Sequence, residues 1–333
     1  MAETRQQPAD LKPERIDSYR EWQEAQKIPV VKGFFVEDVN KVELAPWDLK
    51  GVPCSFVVLD GTGGVNDAYI CEIPPQGKTK PQKHLYEEMV YVTQGYGATS
   101  VWQKDGKKHT FEWGPGSLFA VPINAHYQHF NASGSEAARY FAVTNSCFMI
   151  NLFHNVDFIF DNDYAFLDRF DPSTEGYFSG QGEVTGRFFM TTNFVPDTRS
   201  IGLADYSERG KGSTNMKFNL AKQTMCAHIS EFPVGTLQKR AQAWSRRARY
   251  HPQRPRLLDS LAGGAADAAC RLEARQCRRA ARSVVPPASE FRRQAGALSG
   301  ATLGQLEVPL HAYAGWRRRH LHQREARRRA DRI

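Results

Sequence analysis

The stretch GKTKPQKHLYEEMVYVTQG, residues 77–95, decides the fold. It begins and ends with glycine. Gln82 and His84 precede the apolar run EMVYVT, and Glu88 is the first residue of that run. Side chains two residues apart on a strand point to the same face of a sheet, so Gln82 and His84 are expected to project together. The stretch therefore predicts a β structure in which these polar side chains share one face.

The sequence on either side of this stretch has the same β character. Short runs rich in β-branched and aromatic residues are separated by glycine, proline and asparagine, which favour turns. These runs are SFVVLD, AYICEI, EMVYVT, TSVWQK, KHTFEW, SLFAVP, YQHF and RYFAVT. The dipeptide Asp105-Gly106 between two of them predicts a hairpin. About eight short strands at this spacing predict an antiparallel sandwich or barrel.

The flanking segments differ from this pattern. Residues 17–26 predict a short helix whose first turn is capped by Asp17 or Ser18. Residues 151–215 are rich in Asn, Asp, Phe and Gly, which is typical of a long connection with packed aromatic side chains. Residues 215–236 predict two further strands.

A second stretch, taken together with residues 77–95, resembles the motifs of a known family. GSLFAVPINAHYQHFN, residues 116–131, has a glycine, a proline and a final asparagine in the order of the second motif of the cupin superfamily. Residues 77–95 resemble the first cupin motif, which is a glycine, His-x-His, a glutamate and a closing glycine. The resemblance covers roughly residues 50–148. It implies an all-β fold, the cupin double-stranded β-helix or jelly-roll barrel.

The resemblance also implies a metal site, because cupins hold a divalent metal with three histidines and a glutamate. The aligned positions are Gln82, His84, Glu88 and Tyr127, and His129 or His126 can replace the missing histidine. Such a site suits Fe, Mn, Ni, Co, Cu or Zn. Gln82 is a weak neutral donor, and Tyr127 would have to lose a proton whose usual pKa is about 10. We therefore expect weak or absent metal binding, with a metal-free hydrogen-bond network as the alternative.

The implied activity is broad. Cupins include metal-dependent dioxygenases that act on small aromatic or organic acids, isomerases, decarboxylases, and non-catalytic sugar-binding or seed-storage proteins, and the fold does not choose among them. The expectations are a metal-dependent oxygenase-type enzyme or, alternatively, a non-catalytic binding or structural protein with a degenerate metal site. The expected partners are a small-molecule ligand and further copies of the chain.

The distribution of charge divides the chain near residue 236. Residues 1–236 hold 22 lysines and arginines against 29 acidic residues, whereas residues 237–333 hold 22 against 7. The segment LQKRAQAWSRRARYHPQRPR, residues 237–256, places Trp244 and Tyr250 between arginines. A basic arm of this kind binds nucleic acid through phosphates and stacking.

A shifted reading frame is the hypothesis that we favour for this tail. Residues 237–258, written with permitted codons and read one base later, give YKNGHRHGPGAHVIILSGQGY, and residues 284–303 give WFHQHRNSADRPERYLALR. The first string resembles a cupin motif with an intact His-x-His, and the second parallels the visible HYQHFNASGSEAARYFAV. An internal repeat is itself a fold signal. The hypothesis implies a bicupin whose second cupin is cut short by a frameshift, and a disordered tail that binds nucleic acid only non-specifically.

The expected organisation follows from these patterns. It is an N-terminal extension (1–50), a first cupin domain (51–148), a linker (149–214), the start of a second cupin domain (215–236) and an off-frame basic tail (237–333). We find no apolar run that could span a membrane and no signal peptide, so a cytoplasmic location is expected. The six cysteines lack CxxC spacing, so we expect buried free thiols rather than a disulfide framework.

Overall fold

The computed structural model of the chain describes residues 16–60, 62, 64–104, 106–234, 247–251, 256–260 and 303–309. The helices in these residues are α1 (Ser18–Ala25), α2 (Ser146–Phe153) and α3 (Val156–Phe160). The earlier strands are β1 (Val30–Gly33), β2 (Phe35–Val36), β3 (Ala45–Trp47), β4 (Val52–Leu59), β5 (Asp67–Ile73), β6 (Glu88–Gln94), β7 (Gly97–Trp102), β8 (His109–Trp113), β9 (Leu118–Val121), β10 (His126–Asn131) and β11 (Ala138–Thr144). The later strands are β12 (Glu183–Thr185), β13 (Phe189–Thr192), β14 (Phe194–Val195), β15 (Ala204–Asp205), β16 (Thr214–Leu220), β17 (Ala227–Phe232), β18 (Arg247–His251), β19 (Arg256–Ser260) and β20 (Leu303–Pro309).

Two sheets form a barrel from strands β4 to β11, which correspond to the eight runs predicted from the sequence. One sheet runs β1-β4-β5-β11-β6-β9-β14 with β3 beside β4, and the other runs β10-β7-β8. Residues 78–82 close the gap between them by bridging to β10 at Phe130 and Tyr127. The predicted hairpin joins β7 to β8, although Asp105 itself lies outside the described residues. The predicted all-β fold, the jelly roll that the cupin resemblance implies, is confirmed.

The larger of the two barrel sheets is apolar on both faces, because other parts of the chain cover both faces. β11 is buried at every position, so it lacks the alternation of a half-exposed strand. Tyr140 on one face packs inside the barrel with Phe119. Phe141 on the other face packs with Met89 and with Phe218 of the later strands. The barrel wall is therefore also half of an interface with the second part of the chain.

The later strands repeat the strand pairing of the earlier ones. β1 lies parallel to β4, and β13 lies parallel to β16. β3 and β15 are their antiparallel edge partners, and β5 and β17 follow as antiparallel neighbours. A further sheet runs β12-β13-β16-β17-β20-β18-β19-β2, with β15 beside β16. Two short strands are exchanged, since β14 joins β9 in the larger sheet of the barrel while β2 joins β19 in this sheet of later strands. The pairing of the strands from β1 to β5 is therefore repeated by the strands from β13 to β17.

The carboxylate of Glu87 joins the two parts of the chain. It is buried and accepts hydrogen bonds from the backbone N–H of Thr224 (2.8 Å), the hydroxyl of Thr224 (2.6 Å) and the backbone N–H of Met225 (3.3 Å). Next to it, the amide of Gln223 donates to the backbone carbonyls of Glu88 and Val121, both at 3.0 Å. The turn between β16 and β17 is therefore held against the barrel by polar contacts as well as by the apolar interface.

Helix α1 begins where the sequence predicts. Asp17 caps it by accepting a hydrogen bond from the backbone N–H of Arg20 at 3.1 Å. The backbone N–H of Tyr19 donates to the side chain of Asn151 on α2 at 2.9 Å. Burial raises the pKa of Asp67, at the start of β5, to about 7, although a hydrogen bond from Tyr19 lowers it in part. The helix therefore lies over a carboxyl group that titrates near neutral pH.

The expectation of free thiols is wrong for one pair of cysteines. Cys54 on β4 and Cys71 on β5 lie directly opposite each other, with their Cα atoms 4.2 Å apart, and form a disulfide. Their separation of 17 residues carries no motif, because only the pairing of the two strands brings them together. Cys147 and Cys226 are buried, and Cys270 and Cys277 lie outside the described residues.

Most of the predicted tail, residues 237–333, lies outside the described residues. Within that range the structure describes β18, β19 and β20. They pair with one another and join the sheet of later strands through β17 and β2. In the portion of the chain that the structure describes, no helix has the length and hydropathy that a membrane crossing requires.

Candidate functional site

The polar residues selected from the sequence lie at one end of the barrel. His84 precedes β6, Glu88 is the first residue of β6, and Tyr127 and His129 lie on β10. All four side chains are buried. Tyr127 and His129 share a face because they are two residues apart, as the sequence predicts.

Three atoms from different segments converge in the barrel interior. The Nε2 atom of His84 lies 3.2 Å from Oε2 of Glu88 and 3.1 Å from the hydroxyl oxygen of Tyr127. That hydroxyl lies 3.1 Å from the same carboxylate oxygen. The Tyr127 hydroxyl has one proton and can therefore donate to Glu88 or to His84, but not to both.

The imidazole of His84 is held in one orientation. Its Nδ1 atom lies 2.9 Å from the backbone carbonyl oxygen of Tyr86, which can only accept, so Nδ1 carries a proton. The ring stacks on the ring of Tyr86, with 3.6 Å between centroids. Burial lowers the pKa of His84, although Glu88 opposes that shift. In the neutral ring, Nε2 therefore presents a lone pair to Tyr127 and Glu88.

A residue that the sequence analysis missed, Lys50, lies at the centre of this cluster. Its side chain is 0% exposed. Its Nζ atom donates to the hydroxyl oxygens of Tyr69 (2.8 Å) and Tyr127 (2.7 Å), and it lies 3.7 Å from Oε2 of Glu88. It also lies over the rings of the two tyrosines, 4.7 and 5.0 Å from their centroids. The ammonium is thus surrounded by oxygen atoms and aromatic faces, as a desolvated cation requires.

A tight turn directs Lys50 inward. It follows β3, and Gly51 donates its backbone N–H to the carbonyl of Trp47 at 2.7 Å. Gly51 has a φ of +70°, which favours glycine. The carbonyl of Lys50 accepts a hydrogen bond from the backbone N–H of Lys80 at 2.7 Å. The turn is therefore anchored to the segment that closes the barrel, and the lysine side chain enters the interior.

The charges of this cluster depend on one another. Burial would raise the pKa of Glu88, but the charge of Lys50 outweighs it and holds that pKa well below its usual range. Burial lowers the pKa of Lys50, and the Glu88 carboxylate opposes the shift. Burial, followed by the charge of Glu88, raises the pKa of Tyr127 well above its usual value. The site therefore contains a buried carboxylate, a buried ammonium and a neutral tyrosine.

Unpartnered polar atoms lie in the same interior. In the described part of the chain, Oε1 of Glu88, Nε2 of His129 and the hydroxyl of Tyr140 have no hydrogen-bond partner. His129 contacts the hydroxyl of Thr99 through Nδ1 at 2.7 Å. Burial, followed by the charge of Lys50, lowers the pKa of His129 to about 3, so the ring is neutral. These atoms have hydrogen-bonding capacity that the described residues do not use.

Two other residues from the sequence analysis make different contacts. The amide nitrogen of Gln82 donates to the backbone carbonyl of Leu49 at 2.7 Å, at the rim of the barrel. His126 is half-buried and stacks on Trp102, with 5.6 Å between ring centroids. The i, i+2 alternation places His126 on the opposite side of β10 from Tyr127. The structure therefore brings together His84, Glu88, Tyr127 and His129, while Gln82 contacts the main chain and His126 lies outside.

The residues present do not fit a divalent metal ion. A first-row metal lies about 2.0–2.2 Å from its nitrogen and oxygen ligands, and the space among the three converging atoms adjoins the ammonium of Lys50. A second cation there would be repelled at close range in a buried site. Across the residues that the structure describes, no group of three or more His, Cys, Asp or Glu side chains is arranged to hold a metal.

A separate cleft of about 510 Å³ lies on the surface. It is lined by residues that include Tyr96, Glu112, Gly114 and Arg199. The guanidinium of Arg199 is already paired with Asp197 at 2.8 Å. None of the cluster residues around Lys50 lines this cleft, so the cleft is separate from the cluster.

Comparisons with known proteins reach only the level of shape. No family model matches the chain, and no curated protein matches it. Among solved structures, the chain is similar to a vicilin from Capsicum annuum, at 10% identity and a TM-score of 0.44 over 84% of this chain and 86% of that one. It is also similar to a variant of the oxalate decarboxylase of Bacillus subtilis, at 10% identity and a TM-score of 0.45 over 85% and 78%. A recombinant oxalate oxidase in complex with glycolate aligns at 18% identity and a TM-score of 0.24 over 25% and 43%. At these values the similarities assign no activity to this chain.

Proposed function

We propose that the barrel of residues 52–144 is a metal-independent, non-catalytic domain that supports the second β unit of the chain. The observation that carries this proposal is the buried ammonium of Lys50 among Tyr69, Tyr127 and Glu88. It supplies the positive charge that the Glu88 carboxylate requires, so the cluster needs no metal ion for charge balance.

Two further observations support a structural role. Lys50, Glu88 and Tyr127 are each 0% exposed, so a substrate has no access to them in this conformation. The outer face of the larger barrel sheet, which contains β6 and β11, is covered by the later strands and by the contacts of Glu87. A barrel with a closed interior and a covered wall is suited to assembly rather than to turnover.

The proposal predicts that the full chain does not bind a transition metal stoichiometrically at this cluster. Isothermal titration with Co²⁺, Mn²⁺ and Zn²⁺ is the measurement, with the His84→Ala chain as the matched control. We expect the two chains to give the same weak response even at millimolar metal. One equivalent of metal bound by the unmodified chain and lost in the His84→Ala chain would overturn the proposal.

A metal-dependent oxygenase-type activity on a small organic or aromatic acid is the second candidate. The observation in its favour is the convergence of His84 Nε2, Glu88 Oε2 and the Tyr127 hydroxyl within 3.2 Å of one another. The cupin resemblance implies the same chemistry for a second barrel with a fuller set of histidines. The titration described above separates the two candidates for the first barrel.

We also propose that residues 237–333 are encoded in a shifted frame. Sequencing the source DNA across codons 230–260 is expected to show that removing one base restores HRHGPGAH. An independent genomic sequence that retains the base would contradict the frameshift. The arginine-rich arm would then be the reading to test, through binding of the full chain to a polyanion at several salt concentrations, because phosphate contacts weaken steeply with salt.

A further inference from the structure

The contacts of Lys50 suggest a specific role for its ammonium group in the barrel interior. We propose that the Lys50 ammonium is the resident cation of the barrel, and that shortening this one side chain turns His84 and Glu88 into a divalent-metal site. The inference rests on the proposed function, since it assumes that the unmodified barrel excludes metal. It makes Lys50 the residue that determines which cation this interior holds.

The first argument is charge balance. Glu88 is fully buried, and among the described residues its ion-pair partners within 4 Å are Lys50 and the ionisable ring of His84. Removing the lysine leaves a buried carboxylate whose charge is uncompensated, which is strongly destabilising. A cation that enters from solvent would restore the charge balance. Its affinity would be increased because binding relieves the unfavourable free energy of the uncompensated carboxylate.

The second argument is the direction of the lone pairs. The backbone carbonyl of Tyr86 holds the protonated Nδ1 of His84, so that Nε2 presents its lone pair to the cluster. Histidines that bind a metal through one ring nitrogen commonly donate the N–H of the other nitrogen to a carbonyl in this way. Oε2 of Glu88 lies 3.2 Å from that Nε2, a separation that two ligands of one metal ion commonly have at bond lengths of about 2.1 Å.

The third argument is that further donors are available. Oε1 of Glu88 is buried and has no hydrogen-bond partner among the described residues. The space vacated by three methylene groups and an ammonium in the Lys50→Ala chain would also admit water. Imidazole and carboxylate ligands with water suit Co²⁺, Zn²⁺ or Mn²⁺.

The direct test is Co²⁺ binding by the full-length Lys50→Ala chain, followed by titration calorimetry and by the visible absorption of the bound ion. We expect one Co²⁺ per chain, bound about 100-fold or more tightly than by the unmodified chain. The Lys50→Ala/His84→Ala chain should lose this binding and its absorption. Lys41→Ala is the matched control, because Lys41 is an exposed lysine whose ion pair is with Asp38.

A charge cycle tests the proposal without metal. Lys50→Met and Glu88→Gln should each lower the urea midpoint of unfolding, and the double variant should recover most of the loss, because it buries neither charge. Additive losses would overturn the role of Lys50 as the counter-cation. So would a Lys50→Ala chain that folds and binds Co²⁺ no better than the unmodified chain.

Recovery on refolding covers the case of an unstable variant. If the Lys50→Ala chain is recovered folded only with Co²⁺ or methylammonium in the buffer, the cation role is supported, and failure with both overturns it. The outcomes also separate the two proposals. Tight, His84-dependent binding by the unmodified chain defeats the proposed function, whereas absence of binding by both chains defeats only this inference.

Discussion

Replacing Glu87 by alanine is expected to destabilise the chain by about 3 kcal/mol or more, the sum of at least two lost hydrogen bonds to a charged group. The carboxylate accepts hydrogen bonds from the backbone N–H groups of Thr224 and Met225 and from the Thr224 hydroxyl. In the variant these donors, which are half-buried at Thr224 and buried at Met225, lose their acceptor. Urea unfolding of the two chains measures the loss.

Hydrogen exchange distinguishes the local effect from a general one. We expect the amides of Thr224 and Met225 to exchange much faster in the Glu87→Ala chain, because their acceptor is gone. Glu136→Ala, which removes an exposed carboxylate from a loop of the same barrel, is the control and should leave both amides and the midpoint unchanged. Unaltered protection of Thr224 and Met225 in the Glu87→Ala chain would show that the apolar interface alone holds this turn.

Stability is expected to fall between pH 4 and pH 7 because of Asp67. Burial raises the pKa of this carboxyl group from 3.8 to about 7. The folded chain therefore keeps the proton over a range in which the unfolded chain has released it, so raising the pH favours unfolding. The stability is fully present below the unfolded pKa, and about 4 kcal/mol of it is lost once the pH exceeds the folded pKa, at 1.36 kcal/mol per unit.

The Asp67→Asn chain should lack most of this pH dependence. An amide resembles the neutral carboxyl group and cannot ionise, so the variant is expected to be more stable than the unmodified chain at pH 8 and similar to it near pH 4. Urea midpoints at four or five pH values measure the difference, from which the histidines common to both chains cancel. Asp60→Asn, at an exposed position, is the control. Parallel curves for the Asp67→Asn and unmodified chains would contradict the raised pKa.

The strands were predictable because their signals are local. Runs such as RYFAVT carry β-branched and aromatic residues between turn residues, and each corresponds to a strand of the barrel. The cap of α1 at Asp17 was predictable for the same reason, since a helix terminus is a matter of a few neighbouring residues. The burial of both faces of β11 was not, because it depends on strands that lie far away in the sequence.

The site was predictable only in part. The alternation of strand residues placed Tyr127 and His129 on one interior face, and the motif spacing placed His84 near Glu88. Lys50 carried no such signal, since a lysine beside a glycine in a turn is normally solvated. The disulfide between Cys54 and Cys71 was hidden similarly, because it requires the register of β4 against β5.

The amino-acid sequence alone suffices for the all-β class, the order of the barrel strands and the group of polar side chains that face inward, because each depends on periodicity and turns over a few residues. The identity of the cation in that group required the folded chain. A turn at Gly51 and its contact with Lys80 send Lys50 into the interior, where Glu88, Tyr69 and Tyr127 surround it. Lys50 and Glu88 are 38 residues apart in the numbering, and only the closure of the barrel brings the two charges close enough to compensate each other out of water.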